Sequence, residues 1–119
     1  MPRMVEHKRL PARLFESQSG RVPVREWLLA MEAEDRKTIG EDICTAEFGW
    51  PVGIPLCRAL KGHIGLWEIR SNLSGGRISR VFFCIHDGAM VLLHGFIKKS
   101  QKTPTRELET ANQRMRGLK

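Results

Sequence analysis

Alternating residues in the second half of the sequence carry the side chains that a site binding phosphates and stacking bases needs. They place cations, one carboxylate, one imidazole and two aromatic rings on a common side: Glu68, Arg70, Arg80, Phe82, His94, Phe96 and Lys98. Cations bind phosphoryl oxygens, and a carboxylate or an imidazole can accept, donate or transfer protons. Rings between cations are typical of surfaces that stack bases. This set indicates a polyanion-binding face, with nucleic acid as the default ligand.

Arg80 and Arg70 are the first candidates for a phosphate clamp, because a guanidinium matches phosphate oxygens bidentately. For Arg70 an ion pair with Glu68 or another carboxylate is an equally simple role. The proton-transfer candidates are Glu68, His94 and Lys98. The ordinary pKa of His94 is closest to neutrality, although a lone histidine on a strand also fits a packed structural residue.

Four further residues are candidates for RNA binding. Lys61 lies in a predicted loop before the stretch that carries Glu68 and Arg70, and Lys99 and Lys102 follow Lys98. Each of these lysines can equally be a solvated surface residue, and Lys98, Lys99 and Lys102 can together be only a tether to nucleic acid. Phe96 is the candidate for stacking on a base.

The charge of the chain supports a polyanionic partner. The 119 residues include 20 Lys and Arg against 13 Asp and Glu, for a net charge of +7. The excess lies entirely from Arg58 onward, where 12 basic residues accompany 4 acidic ones. Such a field attracts nucleic acid, although a basic surface can also serve solubility alone.

Composition also excludes several classes of protein. No apolar run approaches the ~20 residues that cross a bilayer, and charges interrupt the first 15 residues, so we expect a cytoplasmic protein without a membrane role. The three cysteines, Cys44, Cys57 and Cys84, form no CxxC pair. We therefore expect buried thiols, with no metal and no cofactor.

The hydrophobic spacing predicts one α+β domain over residues 1–119. An N-terminal strand near Arg9–Glu16 precedes a helix that begins at Pro23, where the missing N–H of proline is not needed. A second helix over about Glu34–Glu47 completes a helical hairpin. An antiparallel meander and a C-terminal helix follow, with strands at Leu66–Ser71, Ile78–Ile85 and Met90–Lys98, a hairpin turn at Asp87-Gly88, and a helix start at Thr103-Pro104.

Successive side chains of a strand point to opposite faces of the sheet, so the alternation along each predicted strand assigns its residues to one face or the other. One apolar face should lie under the helical hairpin, and it comprises Trp67, Ile69, Val81, Phe83, Ile85, Val91, Leu93 and Ile97. The opposite face carries the charged set described above and is expected to be open to solvent and ligand.

Four runs occur in a distinctive order: Ala59–Gly62, Leu66–Arg70, Ser79–Phe83 and Leu92–Pro104. In these runs, and from Val24–Leu28 onward, the sequence resembles the phage-derived Gp49-like, or HigB-like, toxins of the RelE/ParE superfamily. The resemblance implies a RelE/ParE-like fold. It also implies a toxin of a type II toxin-antitoxin module, which cleaves mRNA in the ribosomal A site without metal and is neutralised by a cognate helix-turn-helix antitoxin.

One departure from the family concerns proton transfer. Many RelE-type toxins place a tyrosine near the scissile nucleotide, and this chain has none. Phe96 can replace its ring in stacking but cannot transfer a proton. Two alternatives therefore stay open: a ParE-like inhibitor of a protein target such as DNA gyrase, and an inactive phage-derived nucleic-acid-binding protein.

Overall fold

The computed structural model describes residues 7–98 and 104–118. Its elements confirm the predicted α+β class, with three helices and five strands in the described residues. In chain order they are β1 (Ala12–Leu14), α1 (Pro23–Ala30), α2 (Ala33–Gly49), β2 (Cys57–Ala59), β3 (Trp67–Asn72), β4 (Ile78–His86), β5 (Ala89–Lys98) and α3 (Thr105–Arg116).

The strands form a mixed sheet in the order β1-β5-β4-β3-β2. β3, β4 and β5 are the predicted antiparallel meander, and β1 adds to its edge in parallel with β5. Asp87 and Gly88 join β4 to β5 with φ angles of 50° and 71°, as a tight hairpin turn requires. β2, which pairs with β3, was not predicted, because three residues are too few to show a periodicity.

The sheet lies between two helical layers. α1 and α2 cover one face, where Val24, Ile39 and Ile43 join the larger apolar cluster. α3 covers the other face through Leu108, Ala111 and Met115. A sheet with helices on both sides has few solvated positions, so both of its faces are largely apolar.

The predicted strand faces are wrong for part of β5, and a β-bulge is the reason. Phe82 is opposite His94 but Phe83 is opposite Leu92, so Leu93 has no partner across the ladder. The extra residue reverses the alternation. Leu92 therefore packs under the helical hairpin, whereas Val91 and Leu93 pack under α3.

The second face is not open, contrary to the prediction. Phe82, Phe96, Glu68, Arg80 and Lys98 are all buried. The C-terminal helix lies on this face and excludes water from its centre, which its position in the sequence did not reveal.

Two smaller expectations about burial were also wrong. Ile85, assigned to the apolar face, is 45% exposed because it lies beside the β4–β5 turn. Cys44 is exposed on α2, whereas Cys57 and Cys84 are buried as expected.

Buried and half-buried polar side chains join the layers. Arg36 of α2 donates to the carbonyl oxygens of Leu28 and Met31 at the end of α1, over 3.3 and 3.2 Å. The Glu47 carboxylate at the end of α2 accepts a hydrogen bond from the Ala12 N–H of β1 (2.6 Å). These contacts bond backbone groups near the ends of α1 and in β1, so they help to fix where each element lies.

We expect Gly95→Ala to destabilise the protein by about 1–3 kcal/mol. A Cβ at Gly95 would lie 2.5 Å from Cε3 of Trp27, whose ring packs on this position of β5. Chemical denaturation measures the loss. Gly40→Ala is the control, because a Cβ there meets nothing within 4 Å and should stabilise α2 by roughly 0.5–1 kcal/mol. Equal stabilities of Gly95→Ala and wild type would contradict the close contact with Trp27.

Candidate functional site

Strand pairing gathers four cations around one carboxylate at the β2–β3 side of the sheet. Arg58 of β2 is opposite Glu68 of β3, and Arg70 of β3 is opposite Arg80 of β4. Lys98, at the end of β5, completes the group that we call the Glu68 cluster. With all five side chains ionised, the cluster carries three net positive charges.

Glu68 is 1% exposed and is the centre of the cluster. Arg58 Nε donates to its Oε1, and Arg80 Nη1 lies 3.2 Å from its Oε2. A buried carboxylate stays ionised only where positive partners replace its hydration. Glu68 therefore pairs with Arg58 and Arg80, and not with Arg70 as the sequence had allowed.

Burial lowers the pKa of Lys98, and the positive charge of Arg80 lowers it further. Glu68 acts in the opposite direction but does not outweigh these effects. Burial likewise lowers the pKa of Arg80. Burying the ammonium group of Lys98 costs stability at neutral pH. This cost is fully present below the lowered pKa and disappears as the pH rises through the ordinary lysine pKa.

The cluster has an inner and an outer pair of cations. Arg80 and Lys98 are each 6% exposed and form the inner pair. Arg58 has 51% of its side chain exposed, and Arg70 is exposed, so these two form the outer pair. Since only the outer pair projects into solvent, an approaching anion meets Arg58 and Arg70 first.

His94 lies apart from this cluster and contacts α3. Its Nε2 is 3.0 Å from Oε2 of Glu107, and Arg114 Nη1 is 3.3 Å from its Nδ1. The same Arg114 nitrogen donates to the Leu93 carbonyl at the bulge (2.8 Å). These contacts give His94 a role in docking α3 onto the bulged strand.

The remaining predicted residues are distributed as follows. Phe96 is buried, with its ring edge-on to Phe82 at 5.3 Å and stacked on His94 at 5.9 Å. Lys61 is exposed in the loop between β2 and β3. Lys99 and Lys102 lie outside the described residues. Residues 7–98 and 104–118 contain no group of three or more His, Cys, Asp and Glu side chains that could hold a metal ion.

Comparison with known proteins places the chain in a family. The profile described as phage-derived protein Gp49-like matches residues 26–116, which run from within α1 to the end of α3. The chain belongs to the Gp49-like family. A search of curated proteins finds no match to it. Among the described residues of this Gp49-like protein, no helix has the length and apolar content needed to cross a membrane.

Sequence reasoning missed one residue of the Glu68 cluster and both partners of His94 in this Gp49-like protein. Arg58 was not considered, because β2 was not predicted and its pairing with Glu68 is visible only in the register. Its position directly before the Ala59–Gly62 run was the available signal. Glu107 and Arg114 were missed because nothing local to α3 indicates that it packs against His94.

We expect Glu68→Gln to destabilise this Gp49-like protein by about 3–5 kcal/mol, because it removes the buried carboxylate that lies 3.2 Å from the guanidinium group of Arg80. The loss of negative charge should also lower the pKa of Lys98 further. Urea denaturation measures the first effect, and an NMR titration of the lysine side chains measures the second.

Glu26→Gln is the matched control, since it removes the exposed pair with Arg21 and should leave stability almost unchanged. An unchanged Lys98 pKa in Glu68→Gln would contradict the electrostatic coupling within the cluster.

Proposed function

We propose that this Gp49-like protein is the toxin of a type II toxin-antitoxin module and cleaves mRNA held on the ribosome. The observation that carries the proposal is the Glu68 cluster: four cations around one buried carboxylate, with two of the cations facing solvent. Such a site has surplus positive charge that an anionic ligand neutralises. The resemblance to HigB-like toxins supplies the substrate class and the ribosome.

The proposed reaction is an internal transfer at phosphorus. The ribose O2′ forms a bond to the adjacent phosphorus while the bond from phosphorus to O5′ breaks. The proton of the 2′-hydroxyl is removed, and O5′ gains a proton as it leaves. The products are a 2′,3′-cyclic phosphate and a 5′-hydroxyl, so atoms and charge balance without a co-reactant.

The exposed guanidinium groups of Arg58 and Arg70 bind the phosphoryl oxygens bidentately in this proposal. Arg80 lies behind them and adds positive charge where negative charge grows in the transition state. A buried position strengthens this effect, because water screens the charge less than at the surface.

Lys98 is the proposed group for proton transfer. Its lowered pKa raises the fraction of neutral amine. Because the amine lies behind the outer arginines, it takes up the proton from O2′ and returns it to O5′ through an intervening water molecule. Glu68 is a positioning residue, since two guanidinium groups occupy its carboxylate. Neither Phe96 nor His94 is needed for the chemistry, because the ring of Phe96 packs on Phe82 and His94 holds α3.

We expect production of this protein alone to arrest bacterial growth, with mRNA cut inside translated frames.

Arg70→Ala should reduce cleavage on programmed ribosomes about 10²-fold or more, as the loss of a transition-state cation does elsewhere. Its melting temperature should stay unchanged, because Arg70 is exposed and forms no ion pair with another described residue. Primer extension locates the cuts, and single-turnover kinetics gives the rate.

Arg13→Ala is the control for charge alone, since Arg13 is an exposed arginine on β1, at the opposite edge of the sheet from β2 and β3. It should cleave at the wild-type rate. Intact mRNA together with DNA damage would favour the gyrase-inhibitor alternative. Intact mRNA with normal growth would favour the inactive nucleic-acid-binding protein.

We also expect a cognate helix-turn-helix antitoxin to neutralise the protein by covering the outer cations of the Glu68 cluster. Its association rate should fall with rising salt, because exposed charges steer the encounter. Co-expression with the neighbouring gene product and stopped-flow binding at two ionic strengths measure this. Absence of a complex, together with undiminished growth arrest, would contradict the prediction.

A further inference from the structure

A groove adjoins the Glu68 cluster on its exposed side. It lies between the β2–β3 loop and α3, has a volume of about 240 Å³, and is lined by Arg58, Ala59, Leu60, Lys61, His63 and Leu108. Arg58 belongs to both the groove and the cluster. A ligand chain that places a phosphate at the cluster therefore reaches the groove with its next group.

The groove combines positive walls with an apolar floor. Arg58 and Lys61 provide the charges, and no carboxylate is among the six lining residues. Leu60 and Leu108 pack against the apolar cluster under α3, so the floor of the groove is continuous with the hydrophobic core on this face of the sheet. The volume is below the ~300–1,000 Å³ of sites that bury a drug-sized ligand. The groove thus has the charge and the size for one base with its phosphate.

His63 presents a defined hydrogen-bonding group beside this floor. The side-chain amide of Asn112 on α3 lies 3.2 Å from His63 Nδ1. An amide nitrogen donates only, so Nδ1 accepts and the proton of the neutral ring is on Nε2. Nε2 makes no hydrogen bond to the described residues, and it is the atom that can donate to a base edge.

We propose that this groove binds the base of the nucleotide next to the cleaved phosphate and that His63 sets the sequence preference at that position. The proposal rests on the proposed mRNA cleavage. Arg58 and Lys61 contact the flanking phosphates, Leu60 and Leu108 contact the face of the base, and His63 Nε2–H donates to an acceptor on its edge. Contacts to base edges carry sequence information, whereas contacts to phosphates carry none.

The test measures kcat/KM for cleavage on ribosomes programmed with mRNAs that differ in one nucleotide on either side of the cleaved phosphate. Wild type should prefer certain bases at one of the two positions. His63→Ala should reduce this preference about tenfold, the size expected for loss of one base-edge contact. His63→Gln keeps a side chain that can bond to Asn112, and it should shift the preference without loss of fold.

His86→Ala is the matched control, because it removes a histidine from the β4–β5 hairpin end, outside the groove. It should keep the wild-type preference. A His63→Ala variant that cleaves all substrates with the wild-type ratios overturns the inference, and so does an equal loss on every substrate. Both results leave the proposed cleavage intact. Wild type that cleaves none of the mRNAs overturns the proposed function together with the inference.

Discussion

The burial of Glu68 is the constraint on which the arrangement of charges depends. A carboxylate that is 1% exposed has lost its hydration, so positive partners must stand where water would be. Arg58 and Arg80 reach it from the neighbouring strands, and the register of β2, β3 and β4 brings them there. The register of the strands at this point therefore determines the ion pairs of Glu68 as well as the packing of the sheet. Lys98 and Arg70 then raise the local charge above what one carboxylate can neutralise.

This surplus links stability to function. Repulsion among the cations and the burial of Lys98 both act against folding, and an anion at the outer arginines would relieve part of the repulsion. A site with this property binds phosphate groups more strongly than a neutral surface does. It is also a local departure from optimum stability, which is common where a protein binds or reacts. The proposed RNA cleavage uses the same charges that make the cluster costly.

α3 connects the remaining features. It covers the second face of the sheet, binds the carbonyl of Leu93 through Arg114 and holds His94 through Glu107. Leu108 of the same helix lines the groove beside Arg58, and Asn112 contacts His63 there. One helix thus stabilises the bulged strand and forms one wall of the proposed base-binding groove. A change in the docking of α3 would alter both.

The sequence by itself determined the α+β class, the helical hairpin, the meander and the family, because these depend on local periodicity and short motifs. It also identified Glu68, Arg70, Arg80 and Lys98 as belonging to one side of the sheet. Only the tertiary structure decided that this side is covered by α3. The sequence of a strand does not indicate which distant helix will pack on it. The bulge at Leu93 was equally invisible, because an inserted residue is defined by its missing partner on β4. The contribution of Arg58 to the site could not be predicted for the same reason. Pairing between strands is non-local, and a three-residue strand is too short to show a periodicity.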